Sequence, residues 1–95
     1  MKKELFCVST AVSLVKKYYN YYFSSITSEK VNQITKDIKS WYQYTDITDP
    51  FDLAAAALWF GEYKIPRDYK RSYDEILIAK KILLEMEKNI WRLSF

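Results

Sequence analysis

Asp46, Asp49 and Asp52 stand three residues apart, and a row of carboxylates first suggests calcium. A calcium loop needs oxygens at every second residue, a glycine at its centre and a glutamate at its end. This run has none of these, so Asp49 and Asp52 read as helix-capping residues and no metal site is expected. Cys7 is the only thiol and the chain has no histidine to activate it. It reads as a small hydrophobe in an apolar helix. Glu62 and Asp68 flank a connection and could act as a pair of acids, but no other residue supports that chemistry. With one glycine in the chain, no phosphate-cradling loop can form. The sequence therefore predicts neither catalytic residues nor a cofactor, and the chain is read as a non-enzyme.

Contact is the chemistry that the composition favours. Three tryptophans, nine tyrosines and five phenylalanines supply large faces for packing. Two groups stand out as candidates for partner contact. One is the line Leu77, Leu84 and Trp91, spaced by seven. The other is the set Tyr63, Arg67, Tyr69 and Arg71, where rings alternate with cations; Lys64, Lys70 and Tyr73 belong to the same stretch. Cations with stacking rings are also what single-stranded nucleic acids use. Against that use, Glu62, Asp68, Asp74 and Glu75 dilute the charge. The segment Phe-Asp-Leu-Ala-Ala-Ala-Ala-Leu-Trp-Phe just before it lacks the polar side chains that a recognition helix presents to bases. Nucleic acid is the lesser alternative to a protein partner.

Four helices are predicted to position these residues, at about 2–23, 28–44, 50–60 and 73–93, in an all-α bundle forming a single domain over 1–95. In the first, Leu5, Val8, Val12, Val15, Tyr19, Tyr22 and Ile26 recur in steps of three and four, with Tyr18 and Tyr21 at the sides of that stripe. The second has Thr27 as N-cap, Ile26 and Val31 placed for a hydrophobic staple, and Val31, Ile34, Ile38 and Trp41 as its buried line. The third opens on the cap Asp49 with Pro50 at its first position, ends at Gly61 in a left-handed stop, and is apolar on nearly every side. It is predicted to be central and most buried, with Trp59 and Phe60 inside. The fourth starts at a capping box of Ser72 and Glu75, and docks through Ile76, Ala79, Leu83, Met86, Ile90 and Leu93, with Ile82 alongside. A run near Tyr42–Ile47 is ambiguous between helix end and strand.

The line Leu77, Leu84 and Trp91 lies about 100° round from that docking stripe, and Lys80, Lys81, Glu87 and Lys88 border it. Either the fourth helix is buried on two sides, or this line meets another chain. Spacing by seven suits a second helix, including a copy of itself, so self-association through the last helix is an expectation.

The net charge of +3 is mild and selects no partner class. The apolar run from Leu5 to Val15 is too short to span a membrane. It is followed by Lys16 and Lys17 where a leader's cleavage site would stand. A cytoplasmic protein without membrane association is expected. Twelve lysines against three arginines, with frequent isoleucine and tyrosine, match AT-rich codon usage. In size and composition the chain is similar to small basic helical proteins such as bacteriocin immunity proteins and phage-encoded inhibitors, and no motif carries over. The expected function is protein binding, in the concrete form of a phage or mobile-element inhibitor. The alternatives are a nucleic-acid-binding regulator or an immunity- or antitoxin-like protein.

Overall fold

The computed structural model describes residues 2–61 and 73–93, with side chains for 6–61 and 73–92. Over these residues the chain is helical and without strands. The helices are α1 (Lys2–Phe23), α2 (Ser28–Tyr44), α3 (Pro50–Phe60) and α4 (Tyr73–Leu93). None of them is long and apolar enough to cross a membrane.

Local chemistry sets the boundaries. Thr27 caps α2, its hydroxyl accepting from the Lys30 N–H at 3.1 Å. The ambiguous run near Tyr42 resolves as helix to Tyr44 followed by a turn. There the Thr45 hydroxyl donates to the Trp41 carbonyl and accepts from the Ile47 N–H. That turn drives Ile47 into the core. Asp49 caps α3, accepting from Phe51 N–H at 2.8 Å and Asp52 N–H at 3.4 Å, with Pro50 at the first position. Gly61 ends α3 with its N–H on the Ala57 carbonyl. Its φ of 73° is positive as predicted, but ψ of −169° places it outside the left-handed helical basin, in a region open essentially to glycine alone. At the start of α4, Ser72 lies outside the described residues, so the capping box does too. Glu75 instead accepts a hydrogen bond from the Trp59 indole N–H at 3.2 Å.

The short α3 is the hub. It packs against α1, α2 and α4, while α1 also meets α2 and, more lightly, α4. Leu53 and Ala54 to Ala57 are buried, so the small residues let three helices close in around it. Around this centre lie Val8, Ala11, Leu14 and Val15 of α1, Ile34, Ile38 and Trp41 of α2, and Ile76, Ala79, Leu83 and Met86 of α4. Trp41 is fully enclosed, and its indole N–H donates to the Gly61 carbonyl at 2.8 Å, tying α2 to the end of α3.

Two of the predicted core aromatics are not in the core. Tyr22 is exposed although it continues the buried stripe of α1. It lies in the last turn of α1, where Tyr21, Tyr22 and Phe23 are all exposed whichever way they face. Trp59 is exposed too, near the C-terminal end of α3. Cys7 is a free, half-buried thiol packed against the core rather than enclosed by it.

Candidate protein-binding surface

Helix α4 docks through Ile76, Ala79, Leu83 and Met86 of the stripe read from the sequence, with Ile90 half-buried, Ile82 exposed and the Leu93 side chain outside the described residues, while most of its second line stays outside. Leu77 is half-buried, Leu84 is 45% exposed and Trp91 is 66% exposed. The alternative of burial on two sides is thus excluded at Leu84 and Trp91. The charges on one side of this line are engaged within the molecule. The Lys80 ammonium lies 3.1 Å from Asp52 Oδ1 and 3.9 Å from Asp49 Oδ2, and Glu87 takes Lys17 at 3.1 Å. These residues matter for self-pairing. A helical seam needs two apolar positions in every seven, and the second position after Leu77 and Leu84 is filled by Lys80 and Glu87. On the other side stand Lys81 and Lys88, both exposed.

The acidity of Lys80 is clearly shifted. Burial works against its charge, but contact with Asp52 and the fields of Asp52 and Asp49 outweigh it and hold its pKa above the ordinary lysine value. The Asp52 oxygen that faces it is buried without a well-aligned hydrogen bond, so the contact is ionic. This pair fastens α4 to the first turn of α3. It is a clamp beside the candidate surface.

The second predicted group, Tyr63, Arg67, Tyr69 and Arg71, lies outside the described residues, as do Lys64, Lys70 and the acid pair Glu62 and Asp68. Tyr73, at the edge of that stretch, opens α4 and is exposed.

A stronger surface assembles where the sequence suggested only boundary packing. At the C-terminal end of α1 the rings form a continuous cluster. Tyr18 meets Tyr22 with centroids 5.1 Å apart and Phe23 at 5.9 Å, Tyr19 meets Phe23 at 5.6 Å, and Tyr21 meets Tyr22 at 4.8 Å. Tyr18, Tyr19 and Phe23 then wall a groove of about 170 Å³, closed by Leu58 and Trp59 of α3 and by Ala79 and Ile82 of α4. Phe23 is 60%, Trp59 49% and Ile82 39% exposed around it. Ile78, one turn before Ile82, extends the apolar surface along α4. The Glu75 carboxylate holds the polar edge of Trp59, which fixes an exposed ring that would otherwise be free to turn.

The groove offers ring faces, hydrocarbon and two phenols, which suits the insertion of an apolar side chain. Phe23, Trp59, Ile78 and Ile82 were not among the predicted contact residues. The sequence carried no signal for either ring: α3 is apolar on nearly every side, so periodicity does not single out Trp59, and Phe23 stands at the end of its helix.

No protein-family model matches the chain, and no curated protein and no solved structure shows similarity to it.

Proposed function

We propose that this chain works as a non-enzymatic binding protein, docking an aromatic helical surface onto a protein partner and so covering or stabilising it. The observation that carries the reading is the groove ringed by exposed Phe23, Trp59 and Ile82. The core is closed by alanines and aliphatic side chains together with Trp41, so these large apolar groups are surplus to folding. Large rings gathered in a hollow are what the energetic centres of protein interfaces are made of. Leu84 and Trp91, with Lys81 and Lys88 beside them, supply a second apolar line on α4 that suits a partner carrying acids at the rim. The concrete form, a phage or mobile-element inhibitor that covers the working surface of another protein, draws its support from the AT-rich residue usage.

The test is affinity capture of the tagged chain from cells that carry its gene, run beside the variant Phe23→Ser, Trp59→Ser, Ile82→Ser. A protein held by the wild type and lost by the variant, with helical content and melting cooperativity kept, is the expected outcome. Capture that survives all three substitutions, or no captured protein at all, contradicts the proposal.

A further inference from the structure

A second groove of about 390 Å³ runs between α1 and α2 and shares no lining residue with the aromatic one. Val8 and Val12 form its floor, with Val8 nearly covered and Val12 half so. Ser9 and Ser13, one turn apart on α1, and Thr35 on α2 keep its walls low. Lys16 and Lys39 stand on opposite walls, one from each helix, and both are exposed. Among the described residues, neither ammonium has a carboxylate within ion-pair distance. Two of the three hydroxyls already donate within their own helices, Ser9 to the Phe6 carbonyl and Thr35 to the Val31 carbonyl. Their remaining capacity is to accept.

The geometry points to an acidic amphipathic helix of a partner protein as the occupant of this groove. Low walls between two helices let a third helix approach closely, with its apolar stripe on Val8 and Val12. A cation on each wall then selects carboxylates on both flanks of that stripe. A second copy of this chain fits poorly by the same rule. The exposed line of α4 is bordered by Lys81 and Lys88, which would meet Lys16 and Lys39 as like charges.

The inference is independent of the aromatic surface, and its test separates the two. A synthetic helical peptide with leucines at i, i+3 and i+7 and flanking glutamates is titrated into the labelled full chain, and backbone amide shifts are followed. The same peptide with lysine for every glutamate, and sodium laurate, serve as the other probes. The glutamate peptide is expected to shift the amides around Val8, Val12, Ser13 and Thr35 and to bind about tenfold tighter than the lysine peptide. Lys16→Glu with Lys39→Glu should reverse that preference, and Lys16→Gln with Lys39→Gln should abolish it, with melting unchanged in both. The variant Phe23→Ser, Trp59→Ser, Ile82→Ser should bind the glutamate peptide as the wild type does. The inference is overturned by equal binding of both peptides, by no binding of either, by shifts centred on Phe23, Trp59 and Ile82, or by laurate alone saturating the groove.

Discussion

Trp41 does two jobs at one position: it fills the space between α2 and α3, and its indole N–H satisfies the Gly61 carbonyl. Trp41→Phe keeps most of the volume and removes the donor, so it should cost about 1–3 kcal/mol in chemical denaturation. Trp91, two-thirds exposed, is the counterpart. Trp91→Ala should cost under about 1 kcal/mol and leave the helical signal intact. A loss on the scale of a core deletion would place Trp91 in the fold and not on the contact surface. Lys80 lends itself to a titration. Its folded pKa is raised, so its stabilising contribution is complete below the ordinary lysine pKa of about 10.4 and is lost as pH rises through the folded value. Lys80→Met strands the buried Asp52 oxygen and should cost about 1–3 kcal/mol near neutral pH. The gap between wild type and variant should narrow as pH climbs above that lysine range. A gap that stays constant would show that the clamp is not ionic.

At the scale of elements, the hub depends on its cap. Asp49 holds two N–H groups at the start of α3 and lies near Lys80 of α4, so Asp49→Ala should lower stability by about 0.5–2 kcal/mol, read as a lower denaturation midpoint at unchanged slope. Caps of this kind were legible in the sequence because they are local: Thr27 and Asp49 with Pro50 each announce a helix within four residues. The docking stripes of α2 and α4 were legible for the same reason, since periodicity is a property of one helix. The exposure of the last turn of α1 was not. Whether Tyr22 is covered depends on where the neighbouring helices lie, and no stretch of α1 encodes that. The exposed side of α3 escaped for a related reason. A helix apolar all round carries no periodic signal to say which ring is left outside. Asp37, buried beside Ile38 with Gln33 donating to it at 3.0 Å, was likewise hidden by the apolar stripe around it.

Across the whole molecule, large apolar groups stand outside as well as inside. The buried part of the hub is mostly alanine, while Phe23, Trp59, Ile82, Leu84 and Trp91 face solvent. Grouped exposed rings of this kind are uncommon on a chain that has no partner to cover them. The C-terminal ends of α1 and α3 and the middle of α4 converge on one groove, and this convergence rather than any single residue is what the binding account rests on. The measurement that tests it most directly is the affinity of a captured partner for the wild type and for the variant Phe23→Ser, Trp59→Ser, Ile82→Ser, taken beside the unfolding midpoint of each. The account predicts a fall in affinity of about a hundredfold or more with a native-like helical fold. Undiminished affinity, or a variant that no longer folds, would contradict it.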